Sequence, residues 1–549
     1  MKSKHILRAT IALLCTSAAF AANAGDLTYQ WFTVVNNGDL IPGTGKFFNS
    51  YNQPAVNTHG MVVFRARSRG GGDTGGEAGR MAVSNQPEHG IYIRDMEYMT
   101  PAQTVFRRNG EVPQPNNSLQ PDGGLATFNE FPSVPRIDAG SDTIATRAQS
   151  KPVWVYTLDG SETKVGTAGI YTNPGGIPTT GASLLGIVPG FEYFRVPGVV
   201  PDTRFDQFPG SPAITERATI VFKGNFAAEG GGRTGVFYRD MLANRGVAPV
   251  ELIASYKDEI PGFPGVKFGS TAPPSAAGKY AVFAGFDNEE SPNAGGIFRA
   301  RLGNKPIKLE KVVAIGDDVP GEAGQKFSHF SEAVSLSSNG RHVLFWGAWG
   351  SDTHTVTLNC PVDGNAAVIT ECNLPSTPKS VEVLDHQGFF VKDVQLGTTV
   401  AIAKTGDQFH DFVYWNFSGR PPGTGHGEEG DDGEETYEPP RWRSATFGAV
   451  SATGVPSVSA IKARTADGKD GIYVREVLPS KIGDIVKLLE TGMPGSVVDP
   501  DAAGTTIISL GVERDGFRGQ WLAVTVGMVP ATAEEGWAGV YTARFVGLE

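Results

Sequence analysis

Polar residues recur in pairs along the chain, each pair set between two aromatic residues in a motif that reads F-x-x-F or F-x-x-Y. Carboxylates, imidazoles and amides in such pairs bind hydroxyl-rich ligands, or supply a general acid and a general base. The same groups also cap turns or hold ordered water, so a structural role stays open for each of them. We predict ligand-binding roles for Asn49, Asn129, Glu130, Asp206, Gln207 and Asp411.

An acidic segment between positions 426 and 438 offers a second kind of chemistry. It interleaves carboxylates with glycine, and hard oxygen ligands on a loop suit Ca²⁺. The predicted ligands are Glu428, Glu429, Asp431 and Asp432. Their spacing differs from that of an EF-hand, and runs of charge usually remain solvated. A calcium site and a solvated loop therefore both stay open.

Two cysteines and the absence of common catalytic motifs narrow the function class. Cys360 and Cys372 lie twelve positions apart in a segment that resembles a loop. In an oxidising compartment a disulfide between them is expected, and two free buried thiols are the alternative. The sequence contains no HExxH, GxSxG or P-loop motif, which argues against zincins, α/β-hydrolases and nucleotide-hydrolysing enzymes.

The first residues have the order of a secretory leader. Basic residues come first, an apolar run covers positions 9–21, and Ala22 and Ala24 are the small residues before the expected cut. The apolar run is too short to cross a bilayer. We expect cleavage after Ala24 and a mature chain, 25–549, without a membrane span, in the periplasm or the medium.

Composition favours a sheet-rich fold and excludes two partner classes. The chain has 71 Gly and 37 Pro, which punctuate turns, and 31 Phe, which suits half-buried pleated surfaces. Its formal net charge is −11. Nucleic acids and anionic lipids need a basic surface, so the charge argues against both as partners.

Seven copies of a Gly-apolar-aromatic marker predict the architecture. They begin at Gly90, Gly169, Gly235, Gly296, Gly388, Gly471 and Gly539. Around the markers the same elements recur in one order: the F-x-x-F/Y motif, an apolar run such as that at 219–222, the marker, and a short apolar stretch. Four antiparallel strands repeated seven times predict an all-β fold, a seven-bladed β-propeller.

The two ends of the chain predict how this wheel closes. Residues 32–35 have the pattern of a fourth strand, whereas the last repeat stops after its third strand at 540–545. The N-terminal strand should therefore complete the final blade and leave no open sheet edge.

The repeated order of Phe, Pro, Gly, an apolar V-F-x-A run and a Gly-Ile-Tyr/Phe strand resembles a group of exported bacterial tandem-repeat propeller proteins of unknown function. The similarity covers nearly the whole chain after the leader. Members of the group carry varied C-terminal anchors, and this sequence has no such sorting tail. The resemblance implies a fold and supplies no catalytic residues.

Loop lengths predict which face of the propeller carries function. Turns between first and second strands are short, as at 57–60, whereas connections between second and third strands are long and include an insertion near 347–387. A further insertion, near 419–443, is expected between a fourth and a first strand. Both kinds of connection leave a blade on the same side, so functional residues should collect around that mouth of the channel.

Two functions remain open from the sequence. The first is the binding of a glycan or a protein partner by a monomer, through the loop-rich face. The alternative is degradation of a uronate-containing polysaccharide, by analogy with propeller lyases that use a His or Tyr base and an Arg beside the carboxylate. Its candidate bases are His329, His410, Tyr51 and Tyr414, and its candidate carboxylate clamps are Arg65 and Arg420. His89, His354 and His386 lie in or beside the long loops and receive no role.

Overall fold

The structure is a computed structural model of the chain. It describes residues 21–24, 27–69, 87–117, 125–151, 154–158, 161–165, 168–200, 202–362, 366–419, 440–452, 456–478, 481–532 and 536–548. Strands dominate these residues, and the prediction of an all-β fold is confirmed.

Seven antiparallel sheets, named blades 1 to 7, follow one another along the chain. Taken from the first strand outwards, blade 1 consists of Phe48–Tyr51 with Ala55–Val56, Met61–Ser68, His89–Asp95 and Gln103–Arg107. Blade 2 consists of Thr127–Glu130 with Arg136–Ile137, Ile144–Lys151, Gly169–Thr172 and Thr179–Ser183. Blade 3 consists of Ala213–Thr215, Thr219–Ala228, Gly231–Asp240 and Glu251–Ser255.

The remaining blades repeat this order. Blade 4 consists of Ser270–Thr271 with Ser275–Ala277, Tyr280–Phe286, Gly295–Arg301 and Leu309–Ala314. Blade 5 consists of Phe327–Leu336, His342–Thr357, Ser380–Asp393 and Thr398–Lys404. Blade 6 consists of Phe409–Asp411 with Gly448–Ser451, Ser457–Thr465, Asp470–Val477 and Ile482–Glu490. Blade 7 consists of Thr505–Arg518, Trp521–Pro530, Trp537–Val546, Leu27–Asn36 and Ala21–Ala24.

The first strands of neighbouring blades contact one another in a closed ring, from blade 1 through blade 7 and back to blade 1. They are therefore the innermost strands, and they line a central channel. The predicted number of blades is confirmed. Short 3₁₀ helices occupy Pro174–Gly176, Leu184–Ile187, Glu192–Phe194, Ala243–Gly246, Gly495–Val497 and Pro500–Ala502.

The predicted closure is also confirmed. Strand Leu27–Asn36 pairs with Trp537–Val546, so that Asn36 lies opposite Gly539. At this end Asn36 Nδ2 and Tyr541 Oη each donate a hydrogen bond of 2.9 Å to the buried Asp499 carboxylate. The shared carboxylate fastens the two ends of the chain to each other.

Strand Ala21–Ala24 pairs with the outer side of Leu27–Asn36. It lies within the predicted leader. Cleavage after Ala24 would remove it and leave blade 7 with four strands, like the other blades.

The glycine of each repeat marker has a steric reason. In blade 6 a Cβ atom on Gly471 would stand 2.6 Å from the Tyr473 ring, which folds back over the glycine. Phe409 of the F-x-x-F motif then packs edge-on against Tyr473, with ring centroids 4.8 Å apart. Blade 3 repeats this arrangement with Gly235, Phe237 and Phe205. Each sheet thus buries an aromatic cluster that its neighbouring strands share.

Two insertions rise from blades 5 and 6. In blade 5 the second and third strands extend into a long ribbon that ends in helix Ala366–Cys372, and the predicted disulfide between Cys360 and Cys372 is present. In blade 6 the hairpin Tyr414–Ser418 and Arg441–Ala445 lies inside the innermost strand, between Asp411 and Gly448. The expectation of an insertion between a fourth and a first strand is therefore wrong for this segment.

The blade 6 hairpin packs onto the blade 5 insertion. Trp442 Nε1 donates a 2.8 Å hydrogen bond to the Pro378 carbonyl, and Arg441 pairs with Glu289 of blade 4 at 2.8 Å. Blade 2 carries a smaller hairpin, Trp154–Leu158 with Ser161–Val165. Within the part of the chain that the structure describes, no helix has both the length and the apolar character needed to cross a bilayer.

Candidate functional site

The central channel is crossed by four residues of blade 7, Glu513, Arg514, Asp515 and Gly516, here called the channel plug. Val512 pairs with Val524 and Phe517 with Leu522, so these four residues stand opposite a single residue of the neighbouring strand. Such a wide bulge pushes the chain out of the sheet. Because it arises on an innermost strand, it enters the channel.

The plug bonds to four other blades. Arg514 donates to the Pro273 carbonyl of blade 4 at 2.9 Å and to the Ser211 carbonyl beside blade 3 at 3.1 Å. Other contacts are Glu513 with Arg136 of blade 2 at 2.8 Å, Asp515 with Ser275 of blade 4 at 3.0 Å, and the Arg514 carbonyl with Ser335 of blade 5 at 2.5 Å. The mouth is therefore a cup with a polar floor.

Charges in the plug compensate one another. Asp515 and Arg518 are almost fully buried and form an ion pair of 2.7 Å. Burial alone would raise the pKa of Asp515, but Arg518, Arg136 and Arg514 lower it below its ordinary value. The plug thus binds its own charges and holds the ring of blades together.

A group of histidines and carboxylates, here the histidine cluster, lies where the blade 5 ribbon meets the first strand of blade 6. It consists of His354 and Asp385 on the ribbon and of His410 and Asp411 on the strand. His354 Nδ1 is 2.8 Å from Asp385 Oδ1, and the rings of His354 and His410 have centroids 4.8 Å apart. His354 Nε2 is 3.8 Å from Asp411 Oδ2.

Buried polar groups hold Asp411 in place. Gln387 is fully buried, and its Nε2 donates a 3.0 Å hydrogen bond to Asp411 Oδ1. The backbone N–H of Val413 donates to the same oxygen at 2.8 Å. Trp346 Nε1 in turn donates to Gln387 Oε1 at 3.2 Å and orients the amide. One Asp411 oxygen is therefore fully used, and the other faces His354.

The free edges of His354 and Asp411 are both acceptors in the His354 tautomer whose Nδ1–H donates to Asp385. Nδ1 of His354 donates to the Asp385 carboxylate, so in the neutral ring Nε2 carries a lone pair. Nε2 and Asp411 Oδ2 are buried and have no hydrogen-bond partner among the described residues, since 3.8 Å is too long for a hydrogen bond. Two facing acceptors without a donor between them suit a ligand hydroxyl.

Tyr414 forms the other side of this region, together with two cations and a carboxylate. Its ring centroid is 3.9 Å from Lys462 Nζ and 5.2 Å from Arg464 Cζ. Arg464 Nε is 2.9 Å from Asp470 Oδ1, and Lys462 Nζ is 3.8 Å from the other oxygen of Asp470. The Asp411 carboxylate also raises the pKa of Tyr414, as a smaller contribution than burial.

Burial sets the protonation of these groups. Burial first, and the Asp470 carboxylate second, raise the pKa of Tyr414 well above its ordinary value, so its hydroxyl stays protonated. Burial lowers the pKa of Lys462 to about 8. The Tyr414 hydroxyl lies beside the Asp470 carboxylate, whereas the nearby Trp415 Nε1 is buried and has no hydrogen-bond partner within the described residues.

A second polar group, here the basic cluster, joins blades 1 and 2 and contains Arg65, Arg67, His89, Glu130 and Arg147. Arg65 and Arg67 lie 3.8 Å and 3.3 Å from Glu130 Oε1. His89 Nε2 donates a 3.1 Å hydrogen bond to the Asn129 carbonyl. Burial first, and then Arg67, lower the pKa of His89 to about 4. The predicted residues Arg65, Asn129 and Glu130 meet here.

The other predicted residues stand apart from the histidine cluster. Tyr51 donates to Asn37 Oδ1 at 3.2 Å, and burial raises its pKa. His329 is exposed and contacts Ser328 Oγ at 2.9 Å, and desolvation lowers its pKa. The remaining three are Asn49, which is half-buried, and Asp206 and Gln207, whose backbone N–H groups face the Asn225 carbonyl.

Five predicted residues lie outside the described residues: Arg420, Glu428, Glu429, Asp431 and Asp432. The calcium prediction and one of the two carboxylate clamps therefore stay predictions. Among the residues that the structure describes, no group of three or more His, Cys, Asp or Glu side chains has the arrangement of a metal site.

Sequence reasoning assigned no role to His354, Asp385, Lys462 or Arg464. For the two cations a signal exists, because Ile461 pairs with Tyr473 as Phe64 pairs with Tyr92. Lys462 and Arg464 therefore occupy the positions of Arg65 and Arg67 in blade 1. Comparing cations across aligned repeats would have found them.

A groove of about 280 Å³ lies on the opposite face, at the bottom of blades 5 and 6. Its charged lining residues are Lys481 and Asp393, and the Asp393 carboxylate already accepts hydrogen bonds from the Arg341 guanidinium. None of the residues predicted to bind a ligand lines this groove, and the mouth remains the candidate site.

No protein-family model matches this chain, and no curated protein matches it. Among solved structures the chain is similar to the polysaccharide lyase Uly1, with 11% identity and a TM-score of 0.37 over 93% of this chain and 91% of that one. It is also similar to Zg3597, a family 117 glycoside hydrolase of the marine bacterium Zobellia galactanivorans, with 14% identity and a TM-score of 0.27 over 66% and 90% of the two chains.

A third similar structure is a mutant Trypanosoma rangeli sialidase with trans-sialidase activity, at 11% identity and a TM-score of 0.34 over 91% of this chain and 70% of that one. Likenesses at this level of identity and superposition carry no functional argument. The function proposed below rests on the geometry of the mouth.

Proposed function

We propose that the protein binds a glycan in the cup at the loop-rich face, with the histidine cluster as the contact site. The observation that supports this is the pair of facing acceptors, His354 Nε2 and Asp411 Oδ2, 3.8 Å apart. A buried polar atom without a partner costs about 1–3 kcal/mol, which a hydroxyl donor would recover. Sugars supply such donors in closely spaced sets.

The surroundings of this acceptor pair fit the same ligand. His410 is exposed beside it, and Trp415 offers a half-buried aromatic surface with an unused N–H. Aromatic faces and polar edges together are what a sugar ring needs, because it has both apolar C–H faces and hydroxyl groups. The plug closes the bottom of the cup, so a polysaccharide chain would lie across the mouth.

Affinity electrophoresis of the whole protein in gels that contain single polysaccharides tests this proposal. The panel should contain a neutral polymer such as xylan and uronate polymers such as polygalacturonate and alginate. At least one polymer should slow the protein, and His410→Ala and His354→Ala should each remove most of that retardation.

His59→Ala is the matched control, because His59 is exposed at a short turn on the opposite face. It should migrate like the parent in every gel. If no polysaccharide slows the protein, or if all three alanine variants are slowed equally, the glycan site is wrong and a protein partner becomes the better explanation for the face.

A second candidate function, β-elimination of a uronate polymer, is favoured by one specific observation. A histidine, a tyrosine and an arginine converge around Asp411, which is the set of groups that the reaction needs. A base removes the proton at C5, the electrons form a C4–C5 double bond, and the C4–O bond breaks while the leaving oxygen takes up a proton. A cation beside the carboxylate stabilises the carbanion-like transition state.

The residue types divide these roles. His410 is the exposed base, Tyr414 is a protonated acid, and Arg464 is the nearby cation. Elimination creates an unsaturated uronate that absorbs in the ultraviolet, so absorbance should rise when the protein meets its polymer. Binding without any rise in absorbance would leave the glycan site standing and reject the lyase.

A further inference from the structure

The basic cluster lies apart from the histidine cluster around the ring of blades. Blade 7 separates the two on one side, and blades 3 and 4 separate them on the other. Arg65 and Arg67 lie near the end of the second strand of blade 1 that leads into its long loop. Arg147 lies on the corresponding second strand of blade 2, and Glu130 lies at the end of the first strand of that blade. The cluster therefore opens onto the same cup.

Arg65 and Arg67 share one carboxylate. Both guanidinium groups lie beside Glu130, which is the one carboxylate that pairs with them among the described residues, and the positive charge of Arg147 also lowers the pKa of Arg65. His89 adds no further positive charge near pH 7, since burial first, and then Arg67, lower its pKa to about 4.

Arg65 shows the imbalance most directly. It is 9% exposed, and its Nε has no hydrogen-bond partner among the described residues. Within the described part of the chain its one ion pair is long, 3.8 Å to Glu130. Burial first, and then Arg67, lower its pKa to about 10. A buried guanidinium is stabilised by an anion that accepts hydrogen bonds from its planar set of N–H donors. Glu130 is too far from Arg65 to accept such hydrogen bonds.

Arg518, beside the channel plug, shows a closer pairing of the same residue types, although its Nε, like that of Arg65, has no hydrogen-bond partner among the described residues. Arg518 has Asp515 at 2.7 Å and the Leu336 carbonyl at 2.7 Å, and both its side chain and that of Asp515 are within a few percent of complete burial. In the basic cluster, by contrast, the side chains of Arg67 and Glu130 are 43% and 36% exposed. Solvent anions can therefore reach this cluster more readily than the Arg518–Asp515 pair.

We propose that the basic cluster is an anion subsite that takes a carboxylate or sulfate group carried by a glycan in the cup. The part of this proposal that concerns a polysaccharide rests on the proposed function. Binding of the anion can be tested by itself, with inorganic sulfate or acetate. Arg65 and Arg67 offer their donors to the anion, and Glu130 competes with it for the same donors. The ligand is therefore an acidic polysaccharide with charges spaced along its chain.

Two measurements at constant ionic strength test the subsite. The first follows the thermal midpoint of the whole protein as inorganic sulfate or acetate replaces chloride. The second measures, by calorimetry, the affinity for oligogalacturonate, for a sulfated dextran oligosaccharide and for uncharged dextran. Binding of oligogalacturonate would indicate a carboxylate ligand, and binding of the sulfated oligosaccharide would indicate a sulfate ester. Binding of uncharged dextran would show that no charge is needed.

Three variants give different expected results. Arg67→Gln should weaken binding of the preferred charged oligosaccharide about tenfold, the worth of one charge-assisted hydrogen bond. Arg65→Lys keeps the charge but loses the planar fork, and should weaken binding by a similar factor. Glu130→Gln removes the competing carboxylate and should tighten binding about threefold or more.

Arg301→Gln is the matched control. It removes the same charge as Arg67→Gln, but Arg301 is exposed at the far end of a blade 4 strand. It should change affinity less than twofold. The subsite is rejected if Arg67→Gln behaves like Arg301→Gln, or if Glu130→Gln lowers the thermal midpoint without tightening any anion. These two variants decide the question even if Arg65→Lys does not fold.

His410→Ala separates this inference from the proposed function. If His410→Ala binds normally while Arg67→Gln binds poorly, the anion subsite stands and the histidine cluster is wrong. If His410→Ala alone fails to bind, the glycan site stands and the anion subsite is rejected.

Discussion

The channel plug and the histidine cluster both place charged side chains close to the channel axis, yet their bonding differs. In the plug, Asp515 is surrounded by Arg518, Arg136 and Ser275, and the bonds cross from blade to blade. In the histidine cluster, His354 Nε2 and Asp411 Oδ2 face each other without a donor from the described residues. In the first region the Asp515 carboxylate is paired with arginines of the protein, although the Nε atoms of Arg136, Arg514 and Arg518 have no hydrogen-bond partner among the described residues. In the second region two acceptors face each other, and we propose that a ligand supplies their donor.

This difference has a physical consequence for mutation. A buried charge that loses its partner keeps its full desolvation cost, whereas an acceptor that awaits a ligand contributes little to folding. Substitutions in the plug should therefore change stability, and substitutions in the histidine cluster should change binding.

The largest effect is expected for Asp515→Asn. The change leaves Arg518, Arg136 and Arg514 without their shared carboxylate in a buried site. The free energy of unfolding should fall by about 3–5 kcal/mol, measured by urea denaturation followed by tryptophan fluorescence. Asp484→Asn, an exposed carboxylate on the outer strand of blade 6, should stay within about 0.5 kcal/mol of the parent. Equal stability of the two variants would contradict the structural role of the plug.

The second largest effect is a pH dependence of stability at the basic cluster. His89 has a pKa of about 4 in the folded protein against an ordinary value of 6.5, because burial and then Arg67 disfavour its charged form. Between these two values the unfolded chain binds more protons, so stability is full above pH 6.5 and falls as the pH drops towards 4. At pH 5 the loss is about 2 kcal/mol.

His89→Gln isolates this contribution, since glutamine can still donate to the Asn129 carbonyl but does not titrate. The difference in unfolding free energy between pH 7 and pH 5 should be about 2 kcal/mol smaller in the variant. Identical pH profiles for parent and variant would show that His89 is not held neutral by its surroundings.

A smaller effect, on binding alone, is expected for Asp385→Ala. Asp385 Oδ1 lies 2.8 Å from His354 Nδ1, and the proposed site uses the tautomer in which Nδ1 donates to this carboxylate and Nε2 is an acceptor. Without this carboxylate the glycan affinity should drop about tenfold, equivalent to about 1.4 kcal/mol, with the thermal midpoint unchanged. Asp352→Ala, an exposed carboxylate on the same ribbon, serves as the control and should bind normally. Loss of stability without loss of binding would reverse the contrast between the two regions.

The smallest effect concerns Lys462, whose pKa burial lowers to about 8. The ammonium is mostly charged at pH 7 and mostly neutral at pH 9, so it stops attracting an anionic glycan over that interval. The affinity for the preferred uronate polymer should fall about threefold across this interval. Lys462→Arg keeps its charge and should remove the pH dependence. If parent and variant lose affinity equally, another group titrates in the cup.

Much of the fold could be predicted because its causes are local and repeated. Gly471 must be glycine because Tyr473 folds back over it, and the same two positions recur in each blade. The closure of the ring followed from the order of strands at the two ends of the chain. The last repeat stops after its third strand, Trp537–Val546, and Leu27–Asn36 has the pattern of the missing fourth strand.

The candidate site could be predicted only in part. His410 and Asp411 are visible because they sit inside a repeated motif, whereas His354 and Asp385 are 31 positions apart on two strands of a ribbon. Their meeting depends on the register of that ribbon, which shifts between Trp349 and Thr353. Single-sequence patterns do not encode such a shift, and the same holds for the bulge that forms the plug.

The sequence by itself determined the seven-bladed ring, its closure and the disulfide, because glycine spacing, aromatic spacing and two cysteines act over short distances. The tertiary structure decided which polar residues share a site, which charges are compensated and that the channel has a floor. Those outcomes depend on strand register and on contacts between blades far apart in the chain, where a displacement of one or two residues changes every partner.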